Sequence, residues 1–246
     1  ERKKETNMVS KTKFFFFFIF FLSQSYSQKN ELGIFIGGSN YVGDVGPTTF
    51  INPNEIITGL LYKRNLNNRI ALRGSVSYGT LYSSDFLPGS SANRIIRGHN
   101  FENKFADFNI GFEFNFKEFD IEDGSKQHTF YIHSGLSYFL NKFNKDNYLR
   151  AVVTPPATLT PLPDVNDFSL PISVGLKFKP LEKRFTFGFE ISAHYSFTDD
   201  LDGSDKIIEN SNPILGPFGG NLSNDWYFFS VFKITYIFGK HKCYCP

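Results

Sequence analysis

The chain has 246 residues, 41% of them hydrophobic, and a formal net charge of +2. That length admits one large domain or two small ones, and the near-neutral charge excludes a dedicated nucleic-acid binder. An aromatic share of 18%, with 31 Phe against a single Trp, excludes a disordered chain. A charged fraction of 20% excludes a bundle of membrane-spanning helices.

The single Met is Met8, so residues 1–7 read as an upstream extension. Lys11 and Lys13 precede an apolar run from Phe14 to Leu22, and Ser25-Tyr26-Ser27 follows as a small-x-small step. A basic, an apolar and a small-residue segment in that order predict a signal peptide over 1–27, with Gln28 opening the mature chain. The apolar run falls short of the roughly 20 residues that span a bilayer as a helix. No Cys stands at the cleavage point, so a lipoprotein is not expected.

Beyond that leader the apolar pattern has period two and no sustained period of 3.6. Eight strands are expected, over residues 32–41, 54–64, 69–79, 106–116, 128–140, 168–179, 185–197 and 226–238. The fourth places Ala106, Phe108, Ile110, Phe112, Phe114 and Phe116 on one face. Asp107, Asn109, Gly111, Glu113 and Asn115 occupy the other. The seventh is the longest strict alternation, with Phe185, Phe187, Phe189, Ile191, Ala193, Tyr195 and Phe197 against Thr186, Gly188, Glu190, Ser192, His194 and Ser196. In the second strand the doublets Ile56-Ile57 and Leu60-Leu61 leave the face assignment open.

Connections alternate in length. Residues 65–68, 120–126 and 181–183 are short, whereas 42–53, 80–104, 141–167 and 198–225 are long and rich in Gly, Pro, Asn and Ser. An even number of antiparallel strands with short turns at one end and long loops at the other describes an all-β, up-and-down transmembrane barrel. The expected organisation is one barrel domain over 28–238 and a tail over 239–246. Both mature termini then lie on the short-turn side, the periplasm of an outer-membrane protein.

A soluble lipocalin-type barrel also alternates, with its apolar side chains inward. Here the polar face carries Gly37, Gly59, Gly111, Gly135, Gly175 and Gly188, and Gly weakens a strand without benefit on an exposed surface. Inside a narrow lumen those glycines make room for Arg73, Lys177 and Lys233 as cations and Asp107, Glu113 and Glu190 as anions. Cross-lumen ion pairs would satisfy such buried charges. Tyr62, Tyr78, Tyr138, Tyr195, Trp226 and Tyr236 form the expected aromatic girdle, so lipid is the expected neighbour of the apolar face.

Candidate chemistry is sparse. Thr198-Asp199-Asp200-Leu201-Asp202-Gly203 with Glu209 resembles a calcium loop, but Thr opens it and a strand stands where a helix is needed. An acidic extracellular loop accounts for it, and no metal or cofactor is expected. His133 and Ser134 are adjacent strand residues on opposite faces and cannot act as base and nucleophile. No Gly-x-Ser-x-Gly elbow is present, so no enzyme is expected. Cys243 and Cys245, beyond the last strand, are too close in sequence for an easy internal bridge. They are either idle thiols or one half of a disulfide to a periplasmic partner.

Four marks carry a family resemblance: Tyr41-Val42-Gly43-Asp44, Glu113-Phe114-Asn115-Phe116, Pro171-Ile172-Ser173-Val174-Gly175-Leu176-Lys177, and Phe197-Thr198-Asp199-Asp200-Leu201-Asp202. The chain from Gly33 to Phe238 resembles the small outer-membrane barrel family that includes the barrel subunit of the type IX (Por) secretion machinery. That family usually reads Thr-Asp-Tyr-Leu-Asp-Asp after strand seven, and Asp200 and Gly203 depart from it. The resemblance implies a non-enzymatic barrel that anchors a periplasmic ring or lipoprotein of the secretion apparatus. A free-standing barrel for membrane stability or adhesion is the alternative.

Overall fold

The computed structural model describes residues 29–143, 164–181, 184–204 and 224–239. The expected leader, the Pro-rich stretch 154–163, Glu209, Cys243 and Cys245 lie outside them. The strands are β1 (Lys29–Val42), β2 (Glu55–Asn65), β3 (Ile70–Ser84), β4 (Asn100–Asn115), β5 (Gln127–Phe143), β6 (Val165–Lys179), β7 (Phe185–Ser196) and β8 (Trp226–Phe238). Each pairs antiparallel with its sequence neighbours, and β1 pairs with β8, so the sheet closes in the order β1 to β8. Closure removes every open edge, the condition for crossing a membrane as a sheet.

The direction of the side chains decides the environment. Ile34, Leu60, Phe112 and Phe232 point outward and are 60%, 60%, 61% and 67% exposed, whereas Arg73, Glu113 and Lys177 are buried inside. This inverts the arrangement of a protein in water, where burying apolar area at about 25 cal/mol per Å² drives folding. The outward belt is suited to hydrocarbon. Tyr62 and Tyr236 flank Leu32 in the register at the turn end, and Tyr195 pairs with Trp226 at the loop end.

Several strands run past the predicted limits. β3 and β4 stay paired from Thr80↔Lys104 to Ser84↔Asn100, inside the stretch expected to be loop. Their outward residues there include Glu102 and Lys104, so the apolar alternation ends while the backbone ladder continues above the belt. The β3–β4 connection then holds one helical turn, α1 (Ala92–Arg97), which ends on Gly98 in the left-handed region at φ 63°. A side chain with a Cβ is strained there, which explains the glycine.

The β2 doublets resolve cleanly. Ile57 and Leu61 are buried inside, and Ile56 and Leu60 face out. Between the inward pair, a Cβ on Gly59 would overlap the Phe35 ring and the Val76 carbonyl. The β5–β6 ladder breaks between Ser134↔Ile172 and Ser137↔Ser169, around Pro171, which has no N–H to donate. The Ser134 hydroxyl donates to the Pro171 carbonyl at 2.9 Å on the outer side. His133 meanwhile is buried inside, with Nδ1 3.4 Å from Ser173 Oγ.

Candidate functional site

Five of the six predicted lumen charges meet in one cluster toward the turn end. Glu113 Oε1 accepts from Lys177 at 2.6 Å and from Lys63 at 3.1 Å, and Oε2 lies 3.5 Å from Arg73. Arg73 reaches across the lumen to grip both oxygens of Glu190, at 2.7 and 3.0 Å. Lys233 pairs with Glu190 as well, and the Tyr131 hydroxyl donates to it at 2.7 Å. The guanidinium fork matches the carboxylate geometry, which a lysine in that place would not.

Glu31 and Lys63 join this cluster and were not foreseen. Glu31 lies 3.8 Å from Lys63 and accepts from Thr235 and Asn65 at 2.6 and 2.9 Å. The ladder at the turn end thus starts earlier than residue 32. Gly111 and Gly135 leave the middle of the wall bare, since a Cβ on either would strike the neighbouring strand's backbone.

Asp107 stands apart from the ion cluster. It accepts from the Tyr227 hydroxyl at 2.8 Å and lies 3.8 Å from His194 Nδ1. The His194 ring stacks on Tyr227 with centroids 4.4 Å apart. Around them Phe105, Phe139, Phe229 and Val231 fill the loop half of the bore. The lumen is therefore polar in one half and aromatic in the other, where a uniformly polar interior was expected. Between the halves remains a cavity of about 20 Å³ among Arg73, Asp107, Glu190, His194 and Lys233, room for about one water.

Both mouths are closed. At the turn end the connection expected over 120–126 runs over 116–126 and folds under the barrel. Phe119 and Ile121 are buried there, and the Lys177 ammonium sits 4.6 Å from the Phe119 ring centre. At the loop end Leu201 is buried in the opening, and its carbonyl accepts from Asn103 and Asn141 at 2.7 and 3.2 Å. Its N–H donates to Asp225 at 2.9 Å.

That upper closure joins two of the sequence marks. The Tyr41 hydroxyl touches Asp202 at 2.8 Å and also Asp225, across 161 and 184 residues of chain. Gly43 lies against the phenol and Asp225, and a Cβ there would overlap the phenol oxygen and the Asp225 carboxyl. The α1 segment straps the same corner, with Arg94 on the Gly43 carbonyl at 2.9 Å and Arg97 on Asp85 at 2.8 Å. Burial pushes the Asp85 carboxyl up, but Arg97 and the Gly46 and His99 amides outweigh it and hold it low. Asp202 is engaged by Tyr41 and by the Ser204 amide at 2.8 Å. Among the described residues no group of three His, Cys, Asp or Glu side chains is placed to hold a metal.

A closed eight-stranded antiparallel barrel with its apolar residues outward and a filled, ion-paired lumen is a transmembrane β-barrel. The chain belongs to the family described as Domain of unknown function (DUF6089), whose model matches residues 10–246. No curated protein matches it. Among solved structures it is similar to Ail, the attachment invasion locus protein of Yersinia pestis, solved with the heparin analogue sucrose octasulfate. That match has 14% identity, covers 87% of this chain and 100% of the other, and has a TM-score of 0.44. The N-terminal barrel domain of Pseudomonas aeruginosa OprF matches at 12% identity, covering 85% and 97% of the two chains, with a TM-score of 0.39. Neisserial surface protein A matches at 8% identity over 86% and 97%, with a TM-score of 0.41.

Proposed function

We propose that the protein is a non-enzymatic barrel of the outer membrane that works through its surfaces and not through its bore. The observation that carries this reading is the lumen, occupied from Phe119 at one mouth to Leu201 at the other. A bore closed by buried charge pairs and stacked rings offers no route to a solute. Barrels of this kind belong to outer membranes, and residues 1–27 supply the export signal such a location needs.

The finer reading is that it anchors a periplasmic component of the type IX protein secretion machinery. Its support is the sequence resemblance, two marks of which, at Tyr41 and Asp202, form one contact at the loop-end mouth. In this reading the short turns and both mature termini face the periplasm. Cys243 and Cys245 of the tail over 239–246 form, in this reading, an intermolecular disulfide with the partner, which an oxidising compartment favours.

Purification from outer membranes in mild detergent tests this. Recovery of periplasmic or lipoprotein partners is expected, together with a reductant-sensitive higher-mass species that a Cys243→Ser, Cys245→Ser double variant lacks. Recovery of the barrel alone, with both thiols open to alkylation in intact membranes, would leave the free-standing barrel as the answer.

A further inference from the structure

The Tyr41 phenol has one proton to give and two lone pairs to receive with. Three groups surround its oxygen: Asp202 Oδ2 at 2.8 Å, Asp225 Oδ1 in closer contact, and the Asp44 amide N–H, which donates at 3.2 Å. The amide takes one lone pair. The phenol O–H can serve only one carboxylate, so the other would meet a bare lone pair if both were ionised. Asp202 and Asp225 are fully buried, where such an unsatisfied charge is most costly. One carboxyl therefore has to bring its own proton.

From this geometry we infer that a proton held on Asp225 latches the loop-end mouth, and that its loss releases the Leu201 plug. The Asp225 O–H donates to the Tyr41 oxygen, and the Tyr41 O–H donates onward to the Asp202 carboxylate. The other Asp225 oxygen accepts the Leu201 amide, so the same carboxyl holds phenol and plug together. Burial first, and then the charge of Asp202, raise the Asp225 carboxyl well above its ordinary range. Burial also raises Asp202.

Among the described residues, the other charges of this corner come from both connections and from α1. Arg97 donates to the Asp44 carbonyl at 2.7 Å and grips Asp85. Arg94 donates to the Gly43 and Gly46 carbonyls. Asp44 acts on Asp202 and Asp199 on Asp225 with their negative charge, Asp200 follows Asp199 on the same connection, and the His99 amide donates to Asp85. From the strands, Tyr41 meets the ring of Phe101, and Leu201 meets the neutral amides of Asn103 and Asn141.

The sign follows from linkage. The closed mouth binds the proton and the open mouth, with an ordinary carboxyl near pH 4, does not. Rising pH therefore favours opening, about tenfold per pH unit, until the raised value is passed. The test is hydrogen exchange at the Leu201 amide in the full chain, refolded in nanodiscs and corrected for base-catalysed intrinsic exchange. From pH 6 upward the wild-type protection should fall with rising pH, by up to about tenfold per unit, and level off once the raised Asp225 value is passed. Asp225→Asn keeps both hydrogen bonds without a titrating proton and should be flat and protected. Protection in the wild type that does not change with pH would overturn the latch, even if the variant failed to fold. A folded Asp225→Asn barrel that keeps the wild-type slope would overturn it too.

Discussion

Replacing Glu113 by Ala should destabilise the barrel by about 3–5 kcal/mol, the cost of leaving buried charges without their counter-ion. Three cations converge on that carboxylate, Lys177 at 2.6 Å, Lys63 at 3.1 Å and Arg73 at 3.5 Å. Each sits where water has little access, so none can be hydrated in compensation. Arg73 retains Glu190, but Lys177 loses its closest partner. The exposed pair Arg69–Glu118, at 3.2 Å, supplies the control. Its side chains are in solvent, and Glu118→Ala should cost below about 1 kcal/mol. Urea titrations in lipid vesicles, read by the shift between unheated and boiled samples on gels, measure both. A loss below about 1 kcal/mol at Glu113 would mean that water reaches the cluster and the lumen is open.

The residue beside it makes the opposite demand. Phe112 points into the belt on β4, midway in sequence between Phe108 and Phe116, the residue just past the strand's end, and is 61% exposed. An Arg there would stand in hydrocarbon near the middle of the layer, at a cost of about 2–4 kcal/mol. The same vesicle titration of Phe112→Arg checks this. In a soluble barrel the substitution would be nearly neutral, because Phe112 would already face water. One position tolerates only charge and its neighbour only apolar surface, which is the inverted polarity of a membrane barrel reduced to a single dipeptide.

How far the sequence could be read depended on where alternation survives. β4 and β7 alternate without interruption, and their faces, together with Arg73, Lys177 and Lys233, follow from parity alone. Glu31 was missed because it precedes the first outward apolar residue, Leu32, so nothing marked it as strand. Lys63 was missed because the Ile and Leu doublets of β2 hide which parity faces in. Phe105, Phe139, Tyr227 and Phe229 fill the bore although aromatic residues elsewhere mark the outer face. The run from Trp226 to Phe229 has no alternation to assign. Helix α1 had a signal, Ser91 ahead and Gly98 behind a short run without breakers, inside a stretch otherwise read as loop.

The mouth was legible only as separate marks. Tyr41, Asp202 and Asp225 are brought together by barrel closure, and no local pattern encodes a contact across 161 or 184 residues. The glycine of Tyr41-Val42-Gly43-Asp44 likewise has a reason visible only in three dimensions, since the phenol and the Asp225 carboxyl occupy the space of its missing side chain.

A filled bore is the claim on which the functional reading rests, and planar-bilayer recording of the purified, refolded barrel tests it most directly. With eight strands, an ion cluster and plugs of Phe119 and Leu201, the account predicts insertion with no steady conductance. Below the range where the Asp225 proton is lost, that silence should hold at either polarity. A steady, large, ohmic conductance near neutral pH would contradict the account and make the protein a channel.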